Sequence, residues 1–281
     1  MQLQGPPEAE FGTANVSGCD IRYLRSGRGR PVVFLHTLRT QLEYFFPLLR
    51  ELGPGLEAIV PDLPGHGRST APRTDYTAGH FIAATEGLLE AWGREDSVLV
   101  GESIGGTIAL AVAARGNPRV SRVVALNPYD YGRGGGIRRS SRLAYVLFTA
   151  MLWPGVGEVV ARAGTRGVLR RILEGGLADP RKLPADFVDA LYESGALPGH
   201  ARAFRSLCLN WRSWIAARAA YAAIRIPVAL VYASHDWSRR DERDSNVRAI
   251  PGASMTLVEG CGHFSCLEDP RRIASIVKGE S

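Results

Sequence analysis

Short apolar segments alternate with helical patterns along most of this chain, and this alternation restricts the possible folds more than any other feature. Segments rich in Val, Ile and Leu, as buried strands are, occur at 19–27, 31–36, 56–63, 97–102, 120–128, 227–234 and 254–260. Helical patterns lie between several of them, at 41–52, 76–92 and 106–115, and a last one closes the chain. Apolar strands separated by helices predict a mostly parallel sheet covered on both faces. We therefore expect an α/β fold with a doubly wound sheet.

The alternation stops between about residue 130 and residue 222. This stretch has a helical composition, and Gly- and Pro-containing breaks divide it at 132–136, 153–157, 174–180 and 195–199. A chain of 281 residues with 45% hydrophobic residues can form a large packed domain with an insertion. We predict an α/β core made of residues 1–130 and 223–281, with a helical cap inserted at 131–222.

The composition argues against two classes of partner. The net charge is +6, but all of the 34 basic residues except Lys182 and Lys278 are arginine, and no nucleic-acid-binding motif accompanies them. The longest apolar stretch, at 143–160, is interrupted by Pro154 and Glu158. We therefore expect neither nucleic-acid binding nor stable membrane insertion, and the sequence does not indicate an oligomeric state.

Four cysteines bear on the cellular compartment. None of Cys19, Cys208, Cys261 and Cys266 forms a Cys-x-x-Cys pair, so a metal site is not expected. The first twelve residues are polar and acidic and contain no apolar segment of the kind found in signal peptides. We expect free thiols and a cytoplasmic location.

The sequence "GESIG" at 101–105 lies where a predicted strand meets a predicted helix. Strand, Gly-x-Ser-x-Gly and helix are the context that a nucleophile elbow requires. In such a turn Gly101 and Gly105 must be small so that strand and helix can approach each other. Ser103 is then held out of the turn at a helix N-terminus, where negative charge is favoured. Ser103 is our candidate nucleophile.

A serine hydroxyl needs a base, and the base is normally a histidine that a carboxylate orients. In an elbow architecture the acid and then the histidine follow the serine, in loops after later strands. Asp236 comes directly after the strand at 227–234, and His263 lies in a glycine-containing loop after the last strand. Asp130, after the 120–128 strand, is the alternative acid. The other histidines fit the role of base less well: His36, His66, His80, His200 and His235.

Stabilising the oxyanion of a tetrahedral intermediate takes two backbone N–H groups. One should come from Ile104, the residue after the nucleophile. The other should come from the loop that follows the 31–36 strand and contains Thr37 and Leu38.

Several segments in order along the chain carry a family resemblance: "LHTLRT" (35–40), "PDLPGHGRS" (61–69), "GESIGG" (101–106), "YASHD" (232–236) and "GCGHFSCLEDP" (260–270). The chain resembles the α/β-hydrolase superfamily, in the capped branch that includes esterases, C–C hydrolases and cofactor-free haloperoxidase-like proteins. The resemblance implies Ser103 as nucleophile, Asp236 as acid, His263 as base and Leu38 as the second oxyanion donor. It implies no metal and no organic cofactor.

Three positions depart from the usual family pattern. Thr37 occupies a position that is usually glycine, which affects the shape of the oxyanion loop. Glu102 occupies a position that is often histidine, and we expect it to form a supporting hydrogen bond. The nucleophile is serine, whereas dehalogenases and epoxide hydrolases of this fold use aspartate, so neither activity is expected.

Aromatic residues of the predicted cap are candidates for binding substrate. Tyr145, Phe148, Trp153 and Trp214 could line a pocket for an apolar acyl chain or ring, or could simply pack the cap onto the core. Between residues 131 and 171 there are eight arginines and only one acid, Glu158. This imbalance fits an entrance that attracts an anionic or carrier-bound substrate, and it equally fits a solvated face.

We predict a serine hydrolase that cleaves an ester, thioester or lactone of a small lipophilic molecule through an acyl-enzyme on Ser103. The same fold and triad can also support C–C bond hydrolysis, acyl transfer, elimination or cyclisation. A third possibility is a ligand-binding protein without catalytic activity.

Overall fold

The computed structural model describes residues 4–131 and 136–280, and its centre is one twisted sheet. The sheet has eight strands in the order β1-β2-β4-β3-β5-β6-β7-β8. Their bounds are β1 Glu10–Val16, β2 Cys19–Gly27, β3 Gly29–Leu35, β4 Gly55–Pro61, β5 Ser97–Glu102, β6 Val120–Leu126, β7 Val228–Ala233 and β8 Ser254–Val258. β2 is antiparallel to β1 and β4, and all other pairs are parallel. The predicted α/β class with a mostly parallel sheet is confirmed.

Helices cover both faces of this sheet. The α-helices of the described residues are α1 Phe46–Leu49, α2 Ala78–Trp92, α3 Ile104–Ala114, α4 Arg142–Ala150, α5 Val156–Arg162, α6 Arg166–Glu174, α7 Ala185–Gly195, α8 His200–Leu209, α9 Trp211–Ala217, α10 Arg240–Ala249, α11 Ser265–Glu268 and α12 Pro270–Lys278. Alternate residues of β3 enter two different apolar cores. Val33 and Leu35 pack with α2 and α3, while Val32 and Phe34 pack with α1 and α12. The sheet is therefore doubly wound, as expected.

Two local elements differ from the sequence prediction. β1 forms at the sheet edge although it has no continuous apolar run, because only alternate side chains of an edge strand face the core. The single helix expected at 41–52 is instead a 3₁₀ turn, Leu42–Phe45, followed by the short α1. Pro47 lies in the first turn of α1, where it can start a helix but cannot continue the preceding one.

Six α-helices, α4 to α9, lie between β6 and β7 in the described part of the chain. We call residues 136–223 the insertion. Phe148 of α4 packs against Phe204 of α8, with ring centroids 5.8 Å apart, and Cys208 and Leu38 belong to the same apolar cluster. Backbone N–H groups of the core, at Tyr76 and Ala78, donate to insertion serines. The division of the chain at 131 and 222 stays a prediction.

Two further observations concern the expectations from composition. No helix within residues 4–131 and 136–280 has both the length and the apolar character needed to cross a bilayer. Cys19, Cys208, Cys261 and Cys266 are all free thiols and all buried.

Candidate active site

Ser103 lies at the sharp turn between β5 and α3. Its backbone has φ 58° and ψ −116°, a conformation that L-residues rarely adopt and that nucleophile elbows require. A Cβ atom on Gly101 would lie 2.1 Å from the carbonyl oxygen of Gly105, and one on Gly105 would lie 2.0 Å from that of Leu35. The two glycines are therefore needed for close packing of strand and helix, as their spacing predicts.

Asp236 and His263 meet at the carboxyl end of the sheet. Asp236 follows β7 and His263 follows β8, and adjacent parallel strands place these loops side by side. The Nδ1 atom of His263 lies 2.5 Å from Oδ1 of Asp236. Nε2 of His263 is buried and has no hydrogen-bond partner within the described residues. The imidazole is thus oriented through one nitrogen, and the other nitrogen is left unbonded.

The environment of Asp236 favours its charged form. The other carboxylate oxygen, Oδ2, accepts hydrogen bonds from the backbone N–H of Ser238, at 2.9 Å, and from the Ser238 hydroxyl. Burial alone would raise the pKa of Asp236, but the nearby His263 ring and the hydrogen bonds from His263 and Ser238 outweigh it and hold the pKa below its ordinary value. Asp236 therefore stays ionised beside the imidazole.

Asp130, the alternative acid, lies in a different set of contacts. Both of its carboxylate oxygens accept from the side-chain amide of Asn246, at 2.9 and 3.0 Å. Burial raises the pKa of Asp130 to about 6. His263 is not among its hydrogen-bond partners in the described residues. The structure therefore brings Asp236, and not Asp130, to the histidine.

The other histidines bond elsewhere. His66 and His200 bond to backbone carbonyls, His80 packs its ring on Tyr76, and His235 is exposed and faces Ser234.

A buried hydrogen-bond network joins the elbow to the His263 loop. Glu102, next to Ser103, accepts from the Tyr44 hydroxyl, from the Asn127 amide, and from the backbone and hydroxyl of Ser265. The Asn127 amide also donates to the carbonyl of His263, at 3.2 Å. Burial raises the pKa of Glu102, and the hydrogen bonds from Ser265 and Tyr44 oppose that rise. Glu102 thus has the expected supporting hydrogen bonds, whereas sequence reasoning missed Asn127.

The loop after β3 forms a tight turn next to the elbow. The carbonyl of Thr37 accepts from the backbone N–H and the hydroxyl of Thr40, and it lies 2.9 Å from Nδ1 of His36. The Leu38 N–H donates no hydrogen bond within the described residues. The Ile104 N–H is at the first position of α3, where a helix supplies no acceptor. Neither N–H group therefore has an acceptor within the described residues.

His36 stabilises this turn through contacts of both of its ring nitrogens. It is buried, and its Nε2 accepts from the Leu63 N–H at 2.9 Å. Burial lowers the pKa of His36 to about 4, so the ring is neutral at neutral pH. A neutral ring with its proton on Nδ1 satisfies both contacts.

Trp237 contacts His263 directly, and sequence reasoning did not identify it. The two rings are stacked, with centroids 3.9 Å apart and an interplanar angle of 17°. The indole N–H donates to the carbonyl of Gly175 in the insertion, and Arg139 donates to the carbonyl of Trp237. Its position directly after Asp236 was the one sequence signal that could have indicated it.

Two cavities lie beside the loop after β3, and Leu38, Ile137 and Phe148 line both of them. The first has a volume of about 540 Å³ and is also lined by Trp211 and Trp214. The second, of about 200 Å³, extends among apolar side chains of α4, α5 and α6 to Phe264.

Of the aromatic candidates, Phe148 and Trp214 thus face a cavity. Tyr145 and Trp153 line neither of the two cavities and are 52% and 60% exposed. Tyr145 is on the exposed side of α4, which turns Ala144 and Phe148 inward, and Trp153 follows the end of that helix.

The arginines of the insertion are only partly paired. Arg139 forms two hydrogen bonds with Glu242, Arg166 pairs with Asp189, and Arg170 pairs with Glu174. Glu158, the one acid between residues 131 and 171, pairs with Arg205. Within the described residues no ion pair involves Arg138, Arg142, Arg162 or Arg171, and Arg133 lies outside those residues.

Comparisons with known proteins agree with this architecture. The uncharacterized protein Rv2715 of Mycobacterium tuberculosis is 25% identical over 285 residues, which cover 97% of this chain and 81% of that protein. The 2-hydroxymuconate semialdehyde hydrolase of Pseudomonas sp. strain CF600 is 26% identical over 262 residues, which cover 90% of this chain and 87% of that enzyme. The crystal structure of Cfl2 from Burkholderia cenocepacia superimposes with a TM-score of 0.85 at 20% identity, covering 99% of this chain and 98% of Cfl2.

The family model for the alpha/beta hydrolase fold matches residues 30–270. That range includes the elbow, both loops with Asp236 and His263, and the whole insertion. The protein is a member of the alpha/beta hydrolase fold family.

Proposed function

We propose that this protein is a serine hydrolase that cleaves an ester, thioester or lactone of a small lipophilic substrate through an acyl-enzyme on Ser103. One observation carries the proposal. His263 is oriented by Asp236 through Nδ1, its Nε2 has no partner in the described residues, and its loop is hydrogen-bonded to the elbow that bears Ser103. This is the arrangement that activates a serine hydroxyl.

The chemistry follows from these positions. The Ser103 Oγ attacks the substrate carbonyl while its proton passes to Nε2 of His263. The N–H groups of Leu38 and Ile104 stabilise the resulting oxyanion. When the intermediate collapses, the leaving oxygen or sulfur takes the proton from His263. A water molecule then attacks the acyl-enzyme with His263 again as base, which releases the acid and restores Ser103.

The nature of the cavities supports a lipophilic substrate. Apolar side chains such as Phe148, Leu152 and Trp214 supply most of the first cavity's wall. Both cavities include Leu38, so a substrate whose carbonyl lies at the Leu38 N–H has apolar space next to it. Unpaired arginines on the insertion are consistent with a substrate that is anionic or carrier-bound.

A second candidate is hydrolysis of a carbon–carbon bond by the same groups. The similarity to 2-hydroxymuconate semialdehyde hydrolase, over 90% of this chain, favours it. Products separate the candidates: the proposed ester-type reaction releases an alcohol, a thiol or a hydroxy acid, whereas the alternative breaks the carbon skeleton. Incorporation of ¹⁸O from labelled water into the released acid would distinguish hydrolysis from elimination, cyclisation or acyl transfer.

Fluorophosphonate labelling followed by intact-mass measurement tests the proposal. We expect one adduct on the wild type, none on Ser103→Ala and almost none on His263→Ala. His235→Ala is the matched control, since His235 is exposed and bonds to Ser234, and it should label like the wild type. A wild type that never labels and turns over no p-nitrophenyl ester, although it binds a ligand, would instead support a binding protein.

A further inference from the structure

Arg39 follows Leu38 in the loop after β3 and is one of the residues that line the second cavity. Its backbone has φ 59°, in the left-handed region. The guanidinium carbon lies 4.9 Å from the centre of the Phe204 ring. The guanidinium also lies close to Gly195, where a Cβ atom would lie only 2.6 Å from Nη2. The loop conformation and the missing side chain at position 195 thus make room for this cation.

No anion neutralises Arg39 within the described residues. It forms neither a hydrogen bond nor an ion pair there, and its side chain is half-buried. Burial lowers the pKa of Arg39, which reflects the loss of hydration around the charge. The ionisable group that acts on it is the Cys208 thiol, and burial raises the pKa of Cys208 to about 12, so the thiol is neutral. A cation that has lost part of its hydration and has no counter-ion favours the binding of an anion.

The surroundings strengthen this electrostatic preference. Arg39 is the one charged residue in the described lining of the second cavity, and the other residues there are apolar apart from Tyr192. Burial lowers the pKa of the nearby His66 and His200, which favours their neutral forms, so the positive charge here is that of Arg39. An apolar cavity with one unpaired guanidinium fits a molecule that has an apolar chain and a single anionic group.

We propose that Arg39 binds a carboxylate on the acyl part of the substrate, so that the protein acts on monoesters or monothioesters of dicarboxylic acids with an apolar chain. This inference rests on the proposed function, because Leu38 is taken to hold the reacting carbonyl. Leu38 and Arg39 are adjacent and line the same cavity, so an acyl chain that starts at the Leu38 N–H can place its far end at the guanidinium. A guanidinium and a carboxylate form two parallel hydrogen bonds, which gives the contact direction as well as strength.

Pairs of substrates of equal chain length test the proposal. p-Nitrophenyl hexanoate and mono-p-nitrophenyl adipate have the same number of acyl carbons, but the adipate ends in a carboxylate. The corresponding monoesters from glutarate to suberate vary the distance between the ester carbonyl and that carboxylate. We expect the wild type to have a kcat/KM at least about tenfold higher for one of the charged esters than for its neutral partner. Arg39→Met should reduce kcat/KM for the charged ester by about 10- to 100-fold, which is the size expected for the loss of hydrogen bonds to a charged group. The same variant should change kcat/KM for the neutral ester less than about threefold.

Two further variants separate binding from structural damage. Arg39→Lys keeps the charge and should retain part of the preference, though less than the planar guanidinium provides. Arg271→Met removes the same charge from an 85% exposed side chain on α12 and should leave the preference unchanged. Fluorophosphonate labelling of Arg39→Met at the wild-type rate would show that Ser103 and His263 remain in place.

Binding is measured independently of turnover, on Ser103→Ala by calorimetry with monomethyl adipate and methyl hexanoate. We expect Ser103→Ala to bind monomethyl adipate more tightly than methyl hexanoate. The double variant Ser103→Ala, Arg39→Met should lose this difference. The proposal is overturned if neither assay favours a charged ester, or if Arg39→Met weakens both partners equally. An absence of labelling and turnover, with Arg39-dependent binding intact, would instead reject the proposed hydrolase and retain the anion site.

Discussion

The indole of Trp237 is stacked on the imidazole of His263, with ring centroids 3.9 Å apart. The same imidazole is hydrogen-bonded to Asp236, the residue that precedes Trp237, so adjacent residues restrain the ring through its face and through its edge. The indole N–H is in turn bonded to Gly175 of the insertion. The orientation of His263 therefore depends on contacts with the insertion as well as with the sheet.

Trp237 should act as a positioning residue. We expect Trp237→Leu to lower kcat about tenfold with little change in KM, because the ring loses its stacking partner and spends less time in the productive orientation. Trp237→Phe keeps an aromatic face and should recover most of the rate. Steady-state kinetics on a p-nitrophenyl ester measures both effects. Equal kinetics of the Leu variant and the wild type would show that the stack is not needed.

Asp236→Asn and Asp130→Asn should differ sharply in activity. Asp236 accepts the His263 hydrogen bond, whereas Asp130 accepts from Asn246. We expect Asp236→Asn to lower kcat/KM at least about 100-fold, because the amide does not stabilise an imidazolium. Asp130→Asn should retain activity within about threefold. If the loss followed Asp130 instead, the acid would have been assigned to the wrong strand.

Asp130 should also affect how stability changes with pH. Its pKa is raised from 3.8 to about 6 by burial, so the folded state binds a proton that the unfolded state releases. Its contribution to the free energy of unfolding is therefore present below about pH 4 and is lost as the pH rises through about 6. Two pKa units correspond to about 3 kcal/mol. Urea unfolding measures the free energy of unfolding of Asp130→Asn and of the wild type at pH 4 and at pH 7. Between these pH values the difference should shift by that amount in favour of the variant. A difference that is the same at both pH values would contradict this prediction.

Gly101→Ala and Gly105→Ala should prevent normal folding. Each new Cβ would lie 2.0–2.1 Å from a backbone carbonyl oxygen, which no side-chain rotation can relieve. We expect losses above about 3 kcal/mol in the free energy of unfolding, or insoluble protein. Gly79→Ala is the control, since Gly79 is exposed in α2 and its Cβ would make only an ordinary contact at 3.6 Å. It should keep or raise the stability.

Glu102→Gln tests the network beneath the elbow. Glu102 accepts hydrogen bonds from Tyr44, Asn127 and Ser265, and a glutamine has only one oxygen and adds two donors. At least one buried donor would lose its acceptor, so we expect a loss of about 1–3 kcal/mol in urea unfolding. Tyr44→Phe, which removes one donor cleanly, should cost less. A Gln variant as stable as the wild type would mean that the network rearranges freely.

The sequence by itself determined the class of fold and the order of its main parts. Apolar segments of strand length, separated by segments with helical periodicity, predict a parallel sheet covered by helices. This follows because the backbone of each strand must be hydrogen-bonded and its apolar faces must be buried. The elbow around Ser103 could be predicted because Gly101 and Gly105 lie within five residues of each other. Over so short a segment, steric contacts between near neighbours determine the conformation of the turn. The pairing of Asp236 with His263 was predictable from the rule that loops after adjacent parallel strands meet.

Tertiary structure decided the features that depend on contacts between distant segments. The bond from Asn127 to the His263 carbonyl joins residues 136 positions apart, and no local pattern indicates it. Helix α4 has apolar residues on several faces, so periodicity could not tell that Phe148 turns inward while Tyr145 remains exposed. Arg39 forms no ion pair within the described residues because the residues that pack around it are not acidic. Side-chain burial and pairing are properties of the assembled packing, and one sequence does not specify that packing segment by segment.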